Sequence, residues 1–153
     1  NGENVGDFIA RSGGHEWADF DAYDAGFGPR AATNFWATVG PRLEDATNQI
    51  TMTDTANARW PENADDYVML QLITLHLKPA HEQEFRQLTG KFHEAILKTS
   101  WPAYYAWTYP LGGVMGPTAT LVRPFRNWAD FEDPETSFPA MLAQAYGDEE
   151  AAA

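Results

Sequence analysis

Between Tyr67 and Pro110 apolar and polar residues alternate, then recur at helical steps, then alternate again. From Tyr67 to Lys78, one face of a strand carries Tyr67, Met69, Gln71, Ile73, Leu75 and Leu77, and the other Val68, Leu70, Leu72, Thr74, His76 and Lys78. Both faces begin apolar, which predicts a strand covered on both sides, with the second face turning polar at Thr74 and His76. Lys78-Pro79 ends it, because proline has no N–H for a ladder. Phe85, Leu88, Phe92 and Ile96 then recur at three- and four-residue steps and predict a helix with those residues as its apolar stripe. Acidic residues in its first turn and Lys98 in its last suit the helix dipole. Gly90 costs about 1 kcal/mol inside it relative to alanine, and Trp101-Pro102 stops it. In the next strand Ala103, Tyr105, Trp107 and Tyr109 share one face, and Tyr104, Ala106 and Thr108 the other. A turn at Gly112-Gly113 leads to a strand over 118–123, closed by Pro124. Strand, helix, strand, turn, strand is half of a split βαβ layout, and the fold class is α+β.

The flanks carry weaker patterns. Val5 to Arg11 predicts a short strand, broken by Gly13-Gly14. Residues 15–26 predict an acidic helix that buries Trp17, Phe20 and Tyr23. Thr33 or Asn34 caps a second helix carrying Phe35, Val39 and Leu43, with Pro41 able to kink or divide it. Asn48 to Thr55 alternates Ile50 and Met52 against Thr51 and Thr53, as a half-exposed strand does. After the central stretch Asn127 caps a short helix, with Asp130 placed as in a capping box. Phe138, Met141, Leu142, Ala145 and Tyr146 then recur at helical spacing, and Gly147 supplies the stop.

One tetrapeptide occurs twice. Trp-Ala-Asp-Phe stands at 17–20 and again at 128–131, each time after a strand-like run with an arginine, Arg11 or Arg123, and before an aromatic-bearing helix. The reading that follows makes residues 1–56 the latter half of a first repeat, 57–66 a linker, 67–147 a second repeat and 148–153 a tail. Each repeat lacks part of the other, so the chain is expected to be a fragment of a longer two-repeat protein or to complete its sheets with a partner chain.

Composition narrows the chemistry. The 153 residues are 44% hydrophobic and 14% aromatic, enough for one folded domain. Ten basic against 22 acidic residues give a net charge of −12, which disfavours nucleic acid and anionic membrane as partners. There is no cysteine, so disulfides, thiol nucleophiles and thiolate metal sites are excluded. The compartment stays open, either cytoplasmic or exported after removal of a leader.

His76, at the polar end of its strand, is the candidate catalytic residue: an imidazole in a cavity can act as general base or proton shuttle. The competing reading is a histidine hydrogen-bonded to a neighbouring strand or tyrosine. His81 and His93 have no histidine at helical i, i+4 spacing, so no metal site is expected. Tyr105, Trp107 and Tyr109, within the densest aromatic cluster, are candidates to stack on a planar ligand, against the alternative of a packed core or interface. Arg123, at a strand end, is suited to a carboxylate or enolate, or to pairing with Asp130. Gly112-Gly113 lacks the lysine and helix of a phosphate loop, and the serines lack a nucleophile elbow.

The segments ITLHLKPAHEQEF, WPAYYAW and VRPFRNWADFED carry a resemblance. A strand running through K-P-x-x-x-x-E-F into an amphipathic helix, followed by R-P-F-x-N-W-A-D-F, resembles the dimeric α/β-barrel superfamily of antibiotic-biosynthesis monooxygenase-like and stress-response domains. The resemblance covers most of 67–147 and, more weakly, 1–55. It implies ferredoxin-like βαββαβ units whose sheets, from two subunits or tandem repeats, close into a barrel beside a ligand pocket. On that layout the face bearing His76 points into the barrel. The superfamily includes cofactor-free monooxygenases, haem-binding and haem-degrading enzymes and lactone isomerases, and the resemblance carries over fold and cavity without a catalytic residue. The expected function is binding of a small aromatic or polycyclic molecule, with oxidation or isomerisation that needs no cofactor, haem being the alternative. The contrasting expectation is a non-catalytic ligand-binding or oligomerisation module. Both predict self-association, since an apolar half-barrel face seldom stays exposed.

Overall fold

The computed structural model describes residues 15–26, 28–112, 116–132 and 134–148, in two compact units, one up to Ala46 and one from Thr47 onward. The first unit holds helix α1 (Trp17–Ala25), helix α2 (Gly28–Thr38) and a 3-10 helix at Gly40–Arg42. The expected strand at Val5 to Arg11 lies outside the described residues. Trp17 is 68% exposed, and Phe20 and Tyr23 are exposed with it, rather than buried. Alanines on the far side of α1 leave it weakly amphipathic, with no distinct stripe to bury. Helix α2 begins earlier than Thr33, and Pro41 falls in the 3-10 helix that follows it, where proline fits the first turn.

The second unit is α+β. Strands β1 (Ile50–Arg59), β2 (Met69–His76), β3 (Tyr105–Gly112) and β4 (Thr118–Phe125) form an open antiparallel sheet in the order β1-β3-β4-β2. Helix α3 (Glu82–Thr99) joins β2 to β3, and β4 lies between those two strands, so the split βαβ layout is present. Helix α4 (Phe138–Tyr146) follows β4 and packs on α3. The four-stranded antiparallel sheet with helices is compatible with a ferredoxin-like fold. One boundary differs from the sequence reading. The strand at Ile50–Arg59, assigned to a first repeat and a linker, is hydrogen-bonded to β3 and is the edge of the second unit's sheet. Local alternation identifies a strand and does not name its neighbour.

Residues paired across a ladder share a face. Tyr105, Trp107 and Tyr109 of β3, Ala119 and Leu121 of β4 and Leu75 of β2 meet Phe85, Phe92, Ala95 and Ile96 of α3 and Met141 and Ala145 of α4 in the core. Among the described residues of this unit, α3 and α4 pack on this one face; on the other, Leu70 of β2 is 50% exposed, while Ala106, Thr108 and Val122 at the centre of the sheet are buried. A row of threonines crosses that second face, Thr53, Thr108, Thr120 and Thr74, one from each strand at the same level. The apolar stripe of α3 is also rotated from its expected position. Thr89 and Ala95 are buried beside Ile96, while Leu88 is 56% exposed.

The ends of the elements follow their local chemistry. Lys78 to His81 form a turn in which the His81 N–H donates to the Lys78 carbonyl, with Pro79 second and Ala80 third at φ 69°. Helix α3 stops at Ser100, which is left-handed at φ 54°, and the Trp101 N–H donates back to Ile96. Pro124 does not end β4, which runs on to Phe125. The ladder to β3 stops at Val122, so at Pro124 the strand has a neighbour on one side only and tolerates a missing N–H as an edge strand does. Ser137 caps α4 by accepting from the Ala140 N–H.

The two Trp-Ala-Asp-Phe segments share a local turn. The Asp19 N–H donates to the Glu16 carbonyl at 3.0 Å and the Asp130 N–H to the Asn127 carbonyl at 3.2 Å, three residues back in each copy; the carboxylates differ, Asp19 accepting from the Glu16 N–H and Asp130 from the Arg126 N–H, four residues back. The tryptophan and phenylalanine rings lie 5.9 Å apart in the first copy and 5.4 Å in the second. The first copy starts an α-helix and the second forms a 3-10 helix capped by Asn127.

Candidate functional site

A cavity of about 580 Å³ opens between the helix-covered face of the sheet and the segment that enters α4. Its walls are Phe92 of α3, Trp101 and Ala103 of the following loop, Tyr105 and Trp107 of β3, Leu121 and Arg123 of β4, and Phe138 with its neighbours. The local sequence explains the aromatic walls. Every second residue of 103–109 faces the helices, so three large rings share that face with Ala103. Trp101 is held by its indole N–H, which donates to the Thr136 carbonyl at 2.8 Å, and by the contact of its ring with Phe138 at 6.1 Å.

Tyr105 is buried, and its hydroxyl shares a hydrogen bond of 2.7 Å with His93 Nδ1. Burial pushes the phenol up to about 12, with Arg59 pulling the other way, so it stays protonated and available as a donor. Trp107 is only 7% exposed, and its indole N–H has no hydrogen-bond partner among the described residues. Phe85 meets the Trp107 ring edge-on at 5.3 Å. Arg123 donates to Gln71 Oε1 at 3.2 Å and has its guanidinium 5.0 Å from the centre of the Phe125 ring.

A second, adjoining cleft of about 340 Å³ shares Ala103, Arg123 and Pro134 with the first. It lies where β3 begins and β4 ends, and its lining is more polar than that of the first. Arg59 donates to the Trp101 carbonyl at 2.6 Å and faces the Tyr104 ring at 5.4 Å. Arg126 makes two bonds to the Asp130 carboxylate, at 2.9 and 3.1 Å, and these hold that carboxyl below its ordinary range. Tyr67 and Tyr104 meet edge-on at 5.7 Å; burial, then the Tyr104 neighbour, raise the Tyr67 phenol.

The structure gathers three of the five candidate residues, since Tyr105, Trp107 and Arg123 all line the larger cavity. Tyr109 shares their face but lies beyond the cavity, under α3, with its hydroxyl 3.3 Å from Thr89 and the Arg86 guanidinium 3.6 Å from its ring centre. His76 is exposed at the end of β2, paired with Thr118 on the face opposite the cavity. Strand parity explains the separation, because His76 and Leu75 must face opposite ways. Two residues at the site escaped the sequence reading. Helical spacing in the sequence bears on His93 only as a metal ligand, yet it stands four residues from Thr89 on the side of α3 that meets β3. Arg59 falls in the segment that reads as a linker in the sequence. Among the described residues, no cluster of three or more histidine, aspartate or glutamate side chains could hold a metal ion, and no helix is long and apolar enough to cross a membrane.

Comparisons of the chain with protein-family models, with curated proteins and with solved structures found no match in any of the three.

Proposed function

We propose that this protein binds a small, largely apolar ring compound in the cavity between its sheet and helices. The observation that carries the reading is the cavity itself, about 580 Å³ and walled by Phe92, Trp101, Tyr105, Trp107 and Phe138. That volume is in the range of small-molecule sites, and aromatic walls favour a flat ligand. Binding without turnover is the better supported form. The enzymatic form, oxidation or isomerisation through His76, needs that imidazole at the ligand, and His76 is on the other face of the sheet. The test is calorimetric titration with a neutral probe, 2-naphthamide, against the wild type and a Leu121→Trp variant that fills the cavity. Saturable binding lost in the variant is expected. Equal heats in both would refute the reading.

A second reading rests on a separate observation, the exposed apolar edge of the other sheet face. Val68 is 76% exposed and Leu70 50%, beside the half-buried Leu72, while Ala106 and Val122 further in on the same face are buried. Two copies meeting through these faces would form the barrel that the sequence resemblance implies. Sedimentation velocity should then give a dimer that Leu70→Glu dissociates, and a monomeric wild type at micromolar concentration would sink the idea.

A further inference from the structure

Two hollows of different character adjoin at Ala103, Arg123 and Pro134, the aromatic cavity of about 580 Å³ and the cleft of about 340 Å³. Ala103 is the smallest of the three shared residues, and it is buried just ahead of β3. The cleft sets both kinds of hydrogen-bonding group side by side. Arg59 and Arg126 are donors, Asp130 and Glu132 are acceptors, and the rings of Tyr67 and Tyr104 stand with them. Two of these groups are held in place, Arg59 by its bond to the Trp101 carbonyl and Asp130 by Arg126. A guanidinium has more N–H donors, and a carboxylate more lone pairs, than those bonds use.

We propose that the ligand has two parts, as a neutral glycoside does: a flat apolar ring system in the cavity, joined past Ala103 to a hydroxylated arm in the cleft. Ala103 is then a specificity-determining residue. The inference rests on the proposed function and narrows it to a ligand class. A hydroxyl both donates and accepts, so a polyol can use the arginines and the carboxylates together. An ion of either sign would be drawn to one set and repelled by the other. The C–H side of a sugar ring can also lie against a tyrosine ring. The link between the two parts would pass at Ala103, whose methyl group takes less room than any side chain but glycine's.

The test compares two neutral probes with the same rings, 2-naphthol and 2-naphthyl β-glucoside, by calorimetry on the whole chain at pH 7. The glucoside is expected to bind the wild type at least about tenfold more tightly than 2-naphthol, the gain of one or two net hydrogen bonds. Ala103→Leu should abolish that preference by closing the passage between the two hollows. Tyr67→Ala should shrink it by removing a wall of the cleft, with 2-naphthol affinity unchanged because Tyr67 is not a wall of the aromatic cavity. Equal or weaker binding of the glucoside to the wild type, or a preference that both variants keep, overturns the inference and leaves the cavity reading standing. Binding of neither probe overturns both.

Discussion

The hydroxyl of Tyr105 and Nδ1 of His93 lie 2.7 Å apart, joining β3 to α3 beside the aromatic cavity. The phenol is pushed up to about 12 by burial, above its ordinary value. A raised phenol binds its proton more tightly when folded than when unfolded. The stability this gives is therefore complete below pH about 10 and is lost as pH rises toward about 12, by about 2–3 kcal/mol for one such group. Urea unfolding of the wild type at pH 8, 10 and 11, compared with Tyr105→Phe, should show a steeper alkaline loss in the wild type. Parallel losses in the two proteins would mean that Tyr105 does not titrate abnormally.

The rotated stripe of α3 gives a contrast between two leucine-like positions. Ile96 is fully buried and Leu88 is 56% exposed. Ile96→Ala should cost about 2–5 kcal/mol, through lost transfer energy and a cavity. Leu88→Ala should stay within about 0.5 kcal/mol, as surface changes do. Denaturant midpoints at constant slope measure both. A large loss at Leu88 would show that a partner covers that face of α3 in solution.

Ala80 occupies the third position of the Pro79 turn at φ 69°, a conformation that glycine adopts without strain. Relief of that strain, about 1–2 kcal/mol, exceeds the extra entropy that glycine gives the unfolded chain. Ala80→Gly should accordingly raise stability by about 0.5–1 kcal/mol in thermal or chemical unfolding. A lower melting temperature would indicate that the Ala80 methyl makes a contact worth more than the strain.

Much of the second unit was legible in the sequence. Alternation and helical spacing located β2, α3, β3, β4 and α4, because side-chain period is a local property of each element. The strand face shared by Tyr105, Trp107 and Tyr109 followed from the same rule. Asn127 and Gly147 were readable as ends because caps and left-handed stops have narrow residue preferences. The site was less legible. The order β1-β3-β4-β2, the pairing of Ile50–Arg59 with β3, and the choice of which sheet face the helices cover depend on residues far apart in the chain. Those long-range relations brought Tyr105, Trp107 and Arg123 to one cavity, joined Arg59 and His93 to them, and left His76 on the opposite face. Sequence thus determined the elements and their faces, since steric period and turn chemistry act over a few residues. Tertiary structure alone decided which faces meet, because burial energy is shared among elements and no single segment encodes its partner.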